Sequence, residues 1–126
     1  MNFPATHSIK KFNRKPLTKY APPGEYTSTI TSIEPAPGYR LGDAFIFRYQ
    51  LVSTTSGQQF EKTETILNDA NSERLGAILD NLPDAGASLS NIEDLLGLQE
   101  TVTLENVVIN GKKFTNITSR RYVGFV

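Results

Sequence analysis

The stretch AFIFRYQLVS, residues 44–53, alternates apolar and polar side chains more regularly than any other part of the chain. Its apolar alternate positions are Phe45, Phe47, Tyr49 and Leu51. Successive side chains of a β-strand point to opposite faces, so these positions are expected to fill a core while Arg48 and Gln50 point outward. The stretch therefore predicts a β-strand with one buried face, and it decides the class of fold.

Two further strands are predicted, one on either side of this stretch. Residues 25–34, EYTSTITSIE, are rich in Thr, Tyr and Ile, and Ile33 breaks their alternation in a way that indicates a bulge or a bend within a long strand. Residues 58–67, QQFEKTETIL, follow the turn signal TTSG. Two apolar and two charged positions share one face of this third strand, which favours either a bulge or a strand twisted out of the core. These positions are Phe60, Lys62, Glu64 and Ile66.

After the third strand the apolar residues take up helical spacing. They predict a helix that Asn71 or Ser72 caps and Pro83 ends. A second, short helical stretch follows, in which Ser90 and Glu93 have the spacing of a capping box. The apolar positions of the first helix are Leu75, Ile78, Leu79 and Leu82.

Strand-like alternation returns over residues 98–109. The dipeptide Asn110–Gly111 is a strong signal for a type I′ hairpin turn, and residues 112–123 are predicted to pair back as the last strand. Three strands, a helical segment and a hairpin predict a mainly β domain over residues 24–126. The predicted architecture is a five-stranded OB-fold barrel with the helical segment between strands 3 and 4. A β-sandwich needs more strands, and an RRM needs two helices in a different order.

Residues 1–23 are predicted to form a separate basic arm that is flexible or docks on a partner. The chain has 13 basic and 13 acidic residues, but its first acid is Glu25. Residues 1–24 therefore hold five positive charges and no negative charge, and the remainder holds eight positive and thirteen negative charges, a net charge of −5. With four prolines and no periodicity, the arm is expected to be extended on its own. The acidic body would attract such an arm from a neighbouring subunit.

Composition excludes several kinds of site. The chain has no cysteine, which excludes disulfides, thiolate metal sites and cysteine nucleophiles, and its one histidine, His7, lies in the arm. No apolar run approaches the ~20 residues of a membrane span, and the N-terminus lacks the apolar stretch of a signal peptide. We therefore expect a cytoplasmic protein that is not an enzyme, uses no cofactor, and binds neither a membrane nor a small-molecule substrate.

Three features carry a resemblance to a known family. They are a GxY opening in GEYTSTITSIEP, a Leu-Gly step in RLGAILDNL and a closing hairpin in VVINGKKFTNI. Over residues 24–119 the chain resembles the OB-fold single-stranded-DNA-binding-like proteins of Gram-positive phages and conjugative plasmids. The resemblance implies a nucleic-acid-binding accessory protein of a mobile element that acts on single strands. The chain departs from that class in having no tryptophan, a common stacking residue there.

Binding a single strand of DNA or RNA needs cations that follow the phosphates and aromatic faces on which bases stack. The arm supplies both kinds of residue, which are Lys10, Lys11, Phe12, Arg14, Lys15, Lys19 and Tyr20. The candidates on the barrel are Tyr39, Arg40, Arg48, Lys112, Lys113 and Arg120. The acidic helical segment, residues 69–100, is expected to repel nucleic acid and to confine binding to the opposite side.

Each of these features also has a simpler interpretation. The charges of the arm could keep the protein soluble, or they could dock on a neighbouring subunit and link copies together. Lys112 and Lys113 could serve only to blunt a strand edge. A protein-interaction module that never touches nucleic acid is therefore the alternative function. Salt separates the two, because nucleic-acid binding weakens steeply as ionic strength rises and binding through an apolar protein interface does not.

Overall fold

A computed structural model describes residues 21–83 and 89–126, and within those ranges the chain forms five strands and one α-helix. The strands and helix are β1 (Gly24–Pro35), β2 (Ala44–Ser53), β3 (Gln59–Leu67), α1 (Glu73–Asp80), β4 (Leu98–Ile109) and β5 (Lys112–Phe125). A short 3₁₀ helix, Ile92–Leu95, precedes β4. The predicted mainly β fold with a helix between the third and fourth strands is confirmed. Residues 1–20 of the predicted arm lie outside the described residues.

The five strands form one antiparallel sheet in the order β3-β2-β1-β4-β5. Among the residues that the structure describes, the outermost strands, β3 and β5, each have a partner on one side only. No ladder of backbone hydrogen bonds joins these two edges in the described part of the chain, so the sheet is not closed into a barrel by hydrogen bonds. Of the predicted five-stranded barrel, the structure therefore shows the five strands and their order, but it does not show a closed barrel.

The register of the strands answers two questions that the sequence left open. The pairing of β1 with β2 shifts between Ile30 and Ser32, which confirms the bulge predicted from the broken alternation of β1. The pairing of β2 with β3 runs without a shift from Ala44 to Val52. Lys62 and Glu64 therefore lie on the inner face of β3, where both are half-buried.

The inner face of the sheet forms the core, as the alternation of β2 predicts. Its buried hydrophobic residues include Tyr26, Ile30, Phe45, Phe47, Tyr49, Leu51, Ile66, Leu98, Val102 and Leu104. Helix α1 adds Leu75 and Ile78 to this core. Neither helical stretch of the described residues has the length or the hydropathy of a membrane-spanning segment.

Side chains cap both helical stretches. The hydroxyl of Ser72 accepts a hydrogen bond from the N–H of Leu75 at 3.2 Å, as predicted for α1. At the 3₁₀ helix the capping acid is Asp94. Its carboxylate oxygen Oδ2 accepts hydrogen bonds from the backbone N–H groups of Ser90 and Asn91, both with a nitrogen–oxygen distance of 3.0 Å. The predicted box of Ser90 with Glu93 is therefore wrong by one residue. These backbone hydrogen bonds lower the pKa of the Asp94 carboxyl.

The hairpin of β4 and β5 extends beyond the rest of the sheet. Its turn is Asn110–Gly111, with φ of 52° and 78°, as the type I′ prediction requires. Strand β1 pairs with β4 only as far as Leu104. Residues 105–116 therefore form a two-stranded ribbon, called the ribbon below, whose two strands pair only with each other in the described part of the chain.

Candidate nucleic-acid interface

A groove with a volume of about 1390 Å³ lies between the free edges of β3 and β5, and we call it the seam groove. One wall is formed by residues 61–65 of β3 together with Arg74 of α1. The ribbon forms the opposite wall, and Ala21–Pro23 line the groove as well. The groove exists because the two outer edges of the sheet approach each other without forming a ladder among the described residues, as a twisted sheet allows.

Four cations line the seam groove, and they are Lys62, Arg74, Lys112 and Lys113. Two of them hold backbone carbonyls of the edge strands. The ammonium group of Lys62 donates to the carbonyl of Thr115 across the groove at 3.3 Å. The guanidinium of Arg74 donates to the carbonyl of Thr65 at 3.2 Å. The lysines of the ribbon are exposed to solvent.

The two acids that line the groove are both engaged by other side chains. Glu61 forms an ion pair with Arg48 at 3.5 Å. Glu64 accepts a hydrogen bond from the hydroxyl of Tyr49 at 3.0 Å. The described residues form two ion pairs, Arg48–Glu61 and the buried Arg120–Glu100. Neither pair includes a cation of the groove lining. The groove lining therefore holds four cations and two acids, a net formal charge of +2 (four minus two), which favours a negatively charged ligand.

Glu64 connects the groove lining to a buried cluster, which consists of Tyr49, Glu64, Glu100 and Arg120. The guanidinium of Arg120 donates to one carboxylate oxygen of Glu100, and only 6% and 2% of these side chains is exposed. The other oxygen of Glu100 has no hydrogen-bond partner among the described residues. The cluster links β2 and β3 to β4 and β5 from the inside, where the sheet has no ladder.

Burial is the largest single influence on the pKa of Tyr49, Glu100 and Arg120. It raises the pKa of the Glu100 carboxyl, and the nearby Arg120 guanidinium opposes the rise only in part. The pKa of the Tyr49 hydroxyl is raised by burial first and by Glu64 second. For Arg120 burial lowers the pKa, but Glu100 and then Tyr49 outweigh it, so the pKa is raised overall and the guanidinium stays charged.

The structure brings together only part of the predicted set of binding residues. Lys112 and Lys113 line the seam groove. Arg48 lies on the outer face of β2, paired with an acid of the groove wall. Tyr39 and Arg40 are exposed in the loop after β1 and do not line the groove.

Arg120 is placed differently from its prediction. Its guanidinium is buried against a carboxylate below the groove, so it is not available at the surface to a phosphate. The seven predicted arm residues lie outside the described part of the chain, and they are Lys10, Lys11, Phe12, Arg14, Lys15, Lys19 and Tyr20.

Three residues of the groove were missed from the sequence, namely Lys62, Arg74 and Phe114. Lys62 gave a signal, because a lysine that shares the apolar face of a strand must lie near an opening of the core. Nothing in the sequence singles out Arg74, because the helical spacing around it concerns only the apolar residues. Phe114 gave no signal, since alternation alone assigns an aromatic residue in a strand to the core.

Other chemistry and other proteins give no further guide to the site. The described ranges contain no group of three or more His, Asp or Glu side chains that could hold a metal ion. Comparisons of the chain with protein-family models, with curated proteins and with solved structures found no match. A functional conclusion therefore rests on the seam groove and its surroundings.

Proposed function

We propose that the protein binds single-stranded DNA or RNA along the seam groove, with little preference for sequence. The observation that carries the proposal is the charge of the groove: four cations line it against two acids, and one of these acids, Glu61, is paired with Arg48. A phosphate backbone laid along such a groove would release its counterions, which supplies binding free energy without reading the bases. A role in a phage or conjugative plasmid is proposed on the sequence resemblance alone.

We also propose that the sheet is a partly open OB-fold barrel. The strand order, the helix between β3 and β4 and the bulged first strand all agree with that architecture. In OB-folds the face of strands 2 and 3 and the loops beside it bind oligonucleotides. The seam groove has β3 as one wall and the last hairpin as the other, so the proposed fold and the proposed function agree on its location.

The basic arm is proposed to continue the path of the bound strand. Ala21 lines the groove, and an extended chain spans at most about 3.6 Å per residue. The chain between Lys19 and Ala21 can therefore span at most about 7 Å, and the chain between Lys10 and Ala21 at most about 40 Å. The arm can place five cations along a strand that leaves the groove. In the competing proposal it docks on the acidic surface of a neighbouring copy, where α1 presents exposed Glu73 and Asp80.

Fluorescence anisotropy of a labelled oligo-dT strand tests the proposed function. The full chain is expected to bind at low salt, and the logarithm of its affinity should fall linearly with the logarithm of salt concentration. Lys113→Gln should weaken binding and make this salt dependence shallower by about 0.7, the loss of one phosphate contact. Arg121→Gln is the matched control, because it removes one exposed charge from the same strand outside the groove.

The outcomes separate the two function classes. Absence of binding to oligo-dT and to the corresponding RNA strand at low salt would refute the proposal and turn attention to a protein partner. Equal effects of Lys113→Gln and Arg121→Gln would refute the groove as the place of binding. Sedimentation of the full chain and of a chain lacking residues 1–20 tests whether the arm links copies of the protein.

A further inference from the structure

Phe114 is the one aromatic side chain among the described residues that line the seam groove. It lies in the ribbon opposite Val107, and 46% of it is exposed. The aromatic pairs of the described residues are Tyr26–Phe60, Phe47–Tyr49 and Tyr122–Phe125. Within that part of the chain the ring of Phe114 is therefore not stacked on another ring.

The fold does not use Phe114 as a core residue. It belongs neither to the hydrophobic core nor to the half-buried residues packed against that core. The reason is its place in the ribbon, beyond the last residue of β4 that pairs with β1. A half-exposed phenylalanine on a two-stranded ribbon contributes little to a core, and it presents apolar area to water beside a polar groove.

The surroundings of Phe114 suit a nucleotide better than an apolar partner. Lys112 and Lys113 precede it directly in the chain, and Lys62 lies on the opposite wall of the groove. An aromatic face next to cations is the arrangement that holds a base by stacking and its phosphates by charge. An apolar protein segment would bring these ammonium groups into an interface without supplying acids for them.

We infer that Phe114 is the stacking platform for a base of the bound single strand, with Lys112, Lys113 and Lys62 holding the adjacent phosphates. This inference rests on the proposed function and deepens it, because it assigns to the groove a subsite for a nucleobase. Stacking is tolerant of sequence, since every base has a π-face, so the subsite agrees with binding of little specificity.

The test compares two strands and two matched variants of the full chain. The strands are oligo-dT and an abasic strand of the same length, which keeps the phosphates and lacks the bases. Phe114→Leu removes the ring from the groove. Phe125→Leu is the control, because Phe125 also lies in β5, is 45% exposed and is outside the groove lining.

Phe114→Leu is expected to weaken oligo-dT binding between about 5-fold and about 150-fold, the range for loss of one stacked base. It should leave binding of the abasic strand and the salt dependence unchanged, since no charge is removed. Phe125→Leu should change neither. Phe114→Trp retains and enlarges the stacking face, so it should bind oligo-dT at least as tightly as the wild type. This result would show that the loss in Phe114→Leu is due to the missing aromatic ring and not to misfolding.

The inference and the proposed function fail in different ways. If the wild-type chain binds neither strand, the proposed function fails and the subsite fails with it. If the wild-type chain binds both strands and Phe114→Leu weakens both equally or neither, only the stacking subsite is overturned. Loss of self-association in Phe114→Leu, with oligo-dT binding intact, overturns the subsite and assigns Phe114 to an interface between copies of the chain.

Discussion

Replacing Arg120 by Met is expected to destabilise the fold strongly, because it leaves the Glu100 carboxylate buried without its cation. Met is similar in length and apolar, so the substitution tests charge more than volume. Only 6% of the Arg120 side chain and 2% of the Glu100 side chain is exposed, and one oxygen of Glu100 already lacks a partner among the described residues. Breaking a buried pair by removing one partner costs about 3–5 kcal/mol. Protonation of Glu100 would relieve part of this cost at low pH.

The double variant Glu100→Leu/Arg120→Met separates the pair from its parts. With both charges removed, no buried charge is left behind by this pair, and replacement of a buried ion pair by apolar residues is often neutral or stabilising by about 1–4 kcal/mol. The double variant should therefore be much more stable than Arg120→Met alone. The interior would still hold the hydrogen bond between Tyr49 and Glu64.

Arg48→Met is the matched control for this experiment. Arg48 also pairs with a glutamate, but 38% of its side chain and 52% of that of Glu61 are exposed. An exposed ion pair of this kind contributes about 0–1 kcal/mol. The comparison of the two arginines therefore measures the effect of burial on one kind of ion pair within one sheet.

Urea unfolding at neutral pH provides the measurement. For a small domain the free energy of unfolding changes by about 1–3 kcal/mol per molar urea, so Arg120→Met should lower the midpoint by at least about 1 M. Arg48→Met should lower it by a fraction of that shift. A midpoint for Arg120→Met close to that of Arg48→Met, or a double variant no more stable than Arg120→Met, would refute the coupling inferred for Glu100 and Arg120.

The pKa of the Glu100 carboxyl is raised by burial, so the folded chain holds this proton more tightly than the unfolded chain. That contribution to stability is present below the ordinary carboxyl pKa of about 4.3 and is lost as pH rises through the raised pKa of Glu100. The urea midpoint of the wild type should therefore fall over this pH range, and the urea midpoint of Glu100→Gln should not show this fall. Asp94→Asn should lower the thermal midpoint at neutral pH. The difference in thermal midpoint between the variant and the wild type should disappear as pH falls through the lowered pKa of Asp94. A difference that does not change with pH would show that the charge of Asp94 is not what caps the 3₁₀ helix. Deletion of residues 1–20 should make the salt dependence of oligo-dT binding shallower by up to about 3.5 if the five arm cations contact phosphates, whereas an unchanged slope with loss of self-association would assign the arm to subunit linking.

The strands were predictable because their signals are local. The bounds of β2 and β4 follow from alternation, and the turn between β4 and β5 follows from Asn110–Gly111, the pair that a type I′ turn favours. The helix cap at Ser72 is local in the same sense. Closure of the sheet is not local, because it depends on the twist accumulated over five strands, and the sequence contains no pattern that fixes it.

The seam groove could be predicted only in part, because its walls come from segments far apart in the chain. Lys112 and Lys113 were found from their position at a hairpin tip. Lys62 and Arg74 line the same groove only because two edges of the sheet approach each other. No spacing of residues in the sequence predicts that approach. The alternation of β3 places Lys62 on the same face as apolar residues, which indicates an unusual position. Alternation alone does not predict which groups Lys62 contacts there.

Arg120 shows how one inserted residue reverses a prediction. Ile117 pairs with Leu104 and faces inward, so strict alternation would point Ser119 inward and Arg120 outward. The pairing of β4 with β5 instead shifts between Thr103 and Leu104, and the extra residue in β5 turns Arg120 inward. The same bulge leaves Arg121 exposed.

This bulge has a consequence for the groove as well as for the core. By turning Arg120 inward, it places a cation among Tyr49, Glu64 and Glu100, at the level where β3 and β5 fail to pair. Without that cation the carboxylates of Glu64 and Glu100 would repel each other inside a small core. The buried guanidinium therefore offsets the charge of Glu64, which lines the groove and accepts a hydrogen bond from Tyr49 inside it. On this reasoning Arg120 would affect the proposed nucleic-acid binding only indirectly, and Arg120→Met should weaken binding of oligo-dT only to the extent that it loosens the fold.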